Sequence, residues 1–140
     1  MAVFTAALTA HHSNKVLTID NELTTNGAKI VQWTMEDKNH QQWQLEATQY
    51  GYYVVRSVHS GKVLSVDNEK TTDGAEIMQW DWLNKPHQEW QLIQRGLYTF
   101  TVQNRHSGKV LSVLAESKDN YAKLTQWGDQ QKDHQLFRLT

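Results

Sequence analysis

Six of the seven histidines fall into two evenly spaced sets. His12, His59 and His106 stand 47 residues apart, and so do His40, His87 and His134. Trp33, Trp80 and Trp127 repeat at the same interval, and Gln41, Gln88 and Gln135 follow the second set of histidines. Asp20-Asn21 recurs as Asp67-Asn68, but Leu114-Ala115 takes the third place. Imidazoles in threes suggest a metal, and paired carboxylates suggest general acid–base work. The repetition argues against both. Symmetry-related residues on the outside of a threefold body point away from one another, and an active site is one asymmetric constellation. There is no Gly-rich phosphate loop, no H-E-x-x-H and no recognisable nucleophile motif. The chain has no cysteine, so disulfides and Cys-ligated zinc are excluded. No metal and no cofactor is expected.

The elements that position these residues follow from the same period. Residues 12–46 and 59–93 share 21 identities in 35 positions without a gap, where chance gives roughly two. The chain therefore divides into three units, about 1–46, 47–93 and 94–140, with no linker between them. Long stretches of 3.6-residue periodicity are missing, which argues against helical repeats. Short apolar runs separated by turn signals take their place. In the second unit these are Tyr52–Arg56, Lys62–Val66, Glu76–Trp80 and Trp90–Ile93. His59-Ser60-Gly61, Asp73-Gly74 and Asn84-Lys85-Pro86 punctuate them. Four strands per unit make twelve in all. Three such units are too few for a propeller. Closed about a threefold axis they form an all-β β-trefoil, and closure removes exposed sheet edges.

Length and charge narrow the function. A chain of 140 residues is one domain's worth and can bury a core unaided. Fourteen basic residues against fifteen acidic ones give a net charge of −1, which is no footprint for nucleic acid or an acidic membrane surface. No apolar run is long enough to span a bilayer, so membrane insertion is not expected. Met1–Ala10 lacks a basic leader and reads as the first strand, not as a signal peptide. With the absence of cysteine, this points to a cytoplasmic or non-classically secreted protein. Charge is uneven along the chain: −2, −2 and +3 over the three units. The third unit has drifted furthest, and its site need not match the others.

Near the end of each unit stands Gln-x-aromatic: Gln41-Gln42-Trp43, Gln88-Glu89-Trp90 and Gln135-Leu136-Phe137. Upstream come Gln32-Trp33, Gln79-Trp80 and Gln126-Trp127, after KVLTID, KVLSVD and KVLSVL. Over the whole chain this resembles the ricin B-type lectins, marked by a threefold Q-x-W repeat on a β-trefoil. Trp43, Trp90 and Phe137 are large apolar groups at equivalent places and read as core. Leu17, Leu64, Leu111, Leu45, Leu92 and Leu139 form layers around them. The glutamines Gln41, Gln88 and Gln135 can pin the preceding loop, reach a ligand, or do both.

The resemblance implies that Trp33, Trp80 and Trp127 each floor a shallow sugar pocket. A pyranose has one apolar face and a rim of hydroxyls, so an aromatic suits the face and acceptors suit the rim. The second-core-layer reading of these tryptophans stays open. The family carries an Asp where this chain has Thr18, Ser65 and Ser112. Asp20 and Asp67 lie two residues on, the same strand face, and are expected to replace it, with Asn21 and Asn68 beside them. Their plain alternative is a strand-exit turn. His40, His87 and His134 stand where the family often has Asn reaching the sugar. Two competent pockets and an impaired third are therefore expected.

The expected function is a multivalent carbohydrate-binding lectin, not an enzyme. Its partners are glycans on glycoproteins or glycolipids, with terminal galactose or N-acetylgalactosamine the sugars the resemblance implies, and agglutination the activity. A homodimer would double the number of pockets. The alternatives are a β-trefoil protein-binding module, such as a protease inhibitor or cytoskeleton binder, and the targeting module of a toxin or hydrolase.

Overall fold

The computed structural model describes residues 3–140. The first unit supplies β1 (Val3–Ala6), β2 (Leu8–Ala10), β3 (Val16–Ile19), β4 (Ile30–Trp33) and β5 (Trp43–Ala47). The second supplies β6 (Tyr53–Ser57), β7 (Val63–Val66), β8 (Ile77–Trp80) and β9 (Trp90–Gln94). The third supplies β10 (Phe100–Asn104), β11 (Val110–Val113), β12 (Leu124–Trp127) and β13 (Phe137–Leu139). Among the described residues the only helical elements are three-residue 3₁₀ turns, and no helix is long and apolar enough to cross a membrane.

The strands run antiparallel as a closed circuit, β1–β5–β6–β9–β10–β13–β2. The ring closes because β1 and β2 are one strand interrupted at Ala7. That residue pairs with the chain end instead: its N–H donates to the Thr140 carbonyl (3.2 Å) and its carbonyl accepts from Thr140 N–H (3.0 Å). This break makes thirteen strands where the sequence predicts twelve. The remaining strands form three hairpins, β3–β4, β7–β8 and β11–β12, each in four-residue register. Single bridges Lys29↔Met78, Val31↔Lys123 and Glu76↔Thr125 join the hairpins to one another. Barrel plus triangular cap is the β-trefoil architecture, with the predicted strands of the second unit displaced by at most one residue.

Trp43, Trp90 and Phe137 are fully buried, and the two indole N–H groups donate to the Leu17 and Leu64 carbonyls, both at 3.1 Å. Each bond crosses from the barrel to the cap hairpin of its own repeat. It also satisfies a polar atom that would otherwise be stranded in the core. Leu17, Leu45, Leu64 and Leu111 are buried with them, while Leu92 and Leu139 pack partly exposed at the rim.

Candidate functional site

Three shallow pockets open on the outside, one per repeat, each beside a cap hairpin. The first is lined by Thr18, Asp20, Asn21, Glu22, Trp33, Glu36, His40 and Tyr121. The second is lined by Ser65, Asp67, Asn68, Glu69, Trp80, Leu83 and His87. The third is lined by Ser112, Leu114, Ala115, Glu116, Trp127, Gln130, Lys132 and His134. The structure thus gathers the tryptophan, the histidine and the Asp-Asn or Leu-Ala pair around each pocket. The tryptophans end their hairpin strands, and Trp80 and Trp127 are each 37 % exposed. They are not a second core layer.

The glutamines of the Q-x-W motif behave differently. Gln41, Gln88 and Gln135 have no exposed surface and lie beneath the pockets. Each side-chain carbonyl accepts a backbone N–H, from Glu36 (2.7 Å), Leu83 (2.8 Å) or Gln130 (2.8 Å). Each amide donates to a backbone carbonyl, of Thr34, Asp81 or Gly128. It also donates to the hydroxyl of Thr18, Ser65 or Ser112. With its carbonyl and both donors engaged and no access to solvent, the side chain pins the loop, and the ligand-reaching half of the expectation falls. The small hydroxyls are spent as well. Each donates to the carbonyl two residues back, of Val16, Val63 or Val110.

A second glutamine set joins neighbouring repeats. Gln79 donates to the Leu23 and Thr25 carbonyls of the first repeat, and Gln126 to those of Lys70 and Thr72 in the second. Gln32 donates to those of Ser117 and Asp119 in the third. Each side-chain oxygen accepts from Ser60, Ser107 or Ser13 respectively. The turn held in this way rises against the tryptophan that follows the glutamine. A Cβ added to Gly27 would lie 3.7 Å from Trp80, and one on Gly74 would lie 3.5 Å from Trp127. The turn of one repeat therefore backs the pocket tryptophan of the next, and at the first pocket Tyr121 of the third repeat joins the lining.

Asp20 and Asp67 do not continue their strands. They open 3₁₀ turns, Asp20–Glu22 and Asp67–Glu69, so the simple strand alternation that placed them stops one residue too soon. Asn21 and Asn68 take left-handed backbone, φ 53° and 51°, which short polar side chains tolerate. The same turn in the third repeat carries Ala115 at φ 57°. Asp67 lies 3.5 Å from Lys70. Leu23 replaces that lysine in the first repeat, and one Asp20 carboxylate oxygen is buried with no hydrogen-bond partner.

The acid common to all three pockets is the glutamate that ends each turn: Glu22, Glu69 and Glu116. Sequence reasoning missed them, although they too recur at 47 residues. The third pocket is therefore not devoid of acid, contrary to the expectation drawn from Leu114. Lys85 binds Glu69 at 3.1 Å, and Lys132 faces Glu116 at 3.4 Å. The Lys85 ammonium holds Glu69 below the usual carboxylate range.

His40, His87 and His134 are buried behind these acids. Their Nδ1 atoms lie 3.8, 3.7 and 3.7 Å from the glutamate oxygens, too far for a hydrogen bond. Burial pushes all three imidazoles below their ordinary value and outweighs the neighbouring glutamate. They are neutral at pH 7. Two have a cross-repeat companion: His59 packs edge-on to His40 at 6.3 Å, and His12 to His134 at 6.2 Å. His59 Nε2 donates to the Glu22 carbonyl (2.8 Å) and His12 Nε2 to that of Ser117 (2.7 Å). His12 and His59 of the first histidine set thus sit at seams between repeats. Among the described residues no group of three or more His, Asp or Glu is arranged to hold a metal ion.

The arrangement can offer an aromatic face, a carboxylate and a polar rim to a small polyhydroxylated ligand three times over. Comparison with known proteins agrees at the level of fold. A designed threefold-symmetric protein, ThreeFoil, superposes with a TM-score of 0.96 at 35 % identity, covering 97 % of both chains. An exo-β-1,3-galactanase from Clostridium thermocellum matches at 0.95 and 30 % identity, over 97 % of this chain but 30 % of its own. The Macrolepiota procera ricin B-like lectin, solved in complex with lactose, matches at 0.85 and 16 % identity, over 97 % and 94 %. No curated protein matches the chain. The model of the ricin-type beta-trefoil lectin domain-like family covers residues 5–80 and 86–140. With nearly the whole chain matched and the threefold Q-x-W frame in place, the chain belongs to that family.

Proposed function

We propose that the chain is a multivalent lectin with one carbohydrate pocket per repeat, selecting terminal galactose or N-acetylgalactosamine and agglutinating cells. The observation that carries this reading is the recurrence of a half-exposed tryptophan, a turn glutamate and a buried histidine around three outward pockets. The sugar's C–H face lies on the indole, and its hydroxyls donate to the glutamate, with Asp20 or Asp67 adding a second acceptor in the first two pockets. Charge-assisted bonds of this kind are the stronger ones. The third pocket, with Leu114 in that place and Glu116 facing Lys132, is the weakest. The lactose complex of the Macrolepiota procera lectin supports galactose as the first sugar to try. Repetition of a pocket suits multivalent binding and not one catalytic centre, so no enzyme activity is assigned.

A printed glycan array probed with the free protein tests this. Galactose- or N-acetylgalactosamine-terminated glycans should retain the protein, and free galactose should release it. An array that retains nothing would overturn the lectin reading.

One observation favours a second setting for the same activity. The match to the galactanase occupies only 30 % of that enzyme's chain, as expected of a glycan-targeting module joined to a hydrolase. Cell agglutination by the free chain favours the stand-alone lectin. Binding to the array without agglutination favours the targeting module.

A further inference from the structure

The first pocket differs from the other two by one residue contributed from the far end of the chain. Tyr121 occupies the place held by Gly27 and Gly74 in the other repeats, and it lines the first pocket. It keeps the glycine-like backbone, φ 77° against 88° at both glycines. Its N–H donates to the Gln32 carbonyl at 3.0 Å, as Gly27 and Gly74 donate to those of Gln79 and Gln126. A bulky residue in the left-handed region is uncommon and is held there only by its surroundings. Its ring stands against Trp33, with centroids 4.5 Å apart and planes at 82°. An aromatic recruited only to pack on Trp33 would be covered, yet Tyr121 is 56 % exposed. The first pocket thus has two aromatic walls meeting nearly at a right angle, where the others have one.

From this geometry we infer that Tyr121 makes the first pocket a disaccharide site, while the second and third take a single terminal sugar. This rests on the lectin reading above. A single pyranose offers one flat C–H face and cannot lie flat on two planes at 82°. Two linked rings can: the terminal sugar covers Trp33, and the penultimate sugar turns its face to Tyr121. Glu36 adds an acceptor at this end, where the other pockets have Leu83 and Gln130.

The test compares the wild-type chain with Tyr121→Gly and Gly74→Tyr on an array of mono-, di- and trisaccharides sharing each terminal residue. Calorimetry follows with the best monosaccharide and its disaccharide. In Gly74→Tyr the new Cβ meets Trp127 at an ordinary contact distance of 3.5 Å, on the same left-handed backbone that Tyr121 already occupies, so the third pocket gains a second aromatic wall beside Trp127. The wild type should show one site preferring the disaccharide by about tenfold, the scale of one added aromatic contact. Tyr121→Gly should lose that preference, while the second and third pockets, which Tyr121 does not line, keep their monosaccharide binding, with the melting temperature unchanged or raised. Gly74→Tyr should show a second preferring site. Equal weakening for mono- and disaccharide, or no change with either, overturns the inference and leaves the lectin reading standing. If the wild type binds nothing on the array, both fall.

Discussion

Trp80 and Trp90 separate two kinds of tryptophan within one repeat. Trp90 opens β9 with no exposed surface and ties its indole N–H to Leu64. Trp80 closes β8, over a third exposed, beside Gly27 of the preceding repeat. Trp90→Ala removes a core aromatic and strands the Leu64 carbonyl, a loss of about 3–5 kcal/mol in stability. Trp80→Ala forfeits part of one surface contact, on the order of 1 kcal/mol. Thermal melting of the two variants should therefore differ widely, while glycan binding by the second pocket is lost in Trp80→Ala despite its retained fold. Equal melting temperatures would place Trp80 in the core and remove the sugar platform from the second pocket.

The elements explain why part of the site was legible in the sequence and part was not. Strand positions followed from apolar runs and turn residues, because both faces of each strand must satisfy local rules before the barrel closes. Trp80 ends the expected strand Glu76–Trp80, and the 47-residue period carries the same place to Trp33 and Trp127, which also end their strands. Strand alternation carried Asp20 and Asp67 to the right neighbourhood by the wrong route, since the chain leaves the strand there for a 3₁₀ turn. That turn delivers Glu22, Glu69 and Glu116 to the pockets, and their identity in all three repeats was the signal available. The links made by Gln32, Gln79 and Gln126 and the role of Tyr121 depend on contacts between repeats, which a pattern read along one repeat does not contain.

The buried histidines behind the pockets also set a pH response. Burial lowers the folded-state value of His40, His87 and His134 below the ordinary 6.5. Below pH 6.5 the unfolded chain therefore binds more protons than the folded one, and stability falls with pH toward the lower folded values. Well above 6.5 all three imidazoles are neutral in both states and cost nothing. The groups facing them include Glu22, Glu69 and Glu116, which oppose the shift, and Lys38, Lys85 and Lys132, which reinforce it. Melting temperature should fall between pH 7 and pH 5. Replacing His40, His87 and His134 together by Asn should flatten this part of the profile, each single change removing about a third of it. A triple variant with the wild-type slope would assign the acid sensitivity to other groups.

At the scale of the whole molecule, the proposed function makes threefold closure the means by which weak sites would act together. A shallow pocket holding one or two sugars binds on the order of millimolar to tens of micromolar. Engaging several pockets at once adds roughly two to four decades of avidity without any new contact. The pockets face outward about the pseudo-threefold axis, so under the proposed function a single chain would join separate glycan-bearing surfaces without a dimer. Valency can be removed one pocket at a time, because Trp33, Trp80 and Trp127 each floor a different pocket at the end of a different hairpin. A single Trp33→Ala or Trp80→Ala change leaves at least two pockets, and erythrocyte agglutination should persist at a higher protein concentration. The double variant leaves only the weakest pocket. It should still bind a dense glycan surface weakly yet fail to agglutinate at any concentration, with its melting temperature near that of the single variants. Agglutination surviving in the double variant, at a sedimentation coefficient showing a monomer, would mean that cross-linking does not run through these pockets. The same result with a sedimenting dimer would assign the second point of attachment to a partner chain.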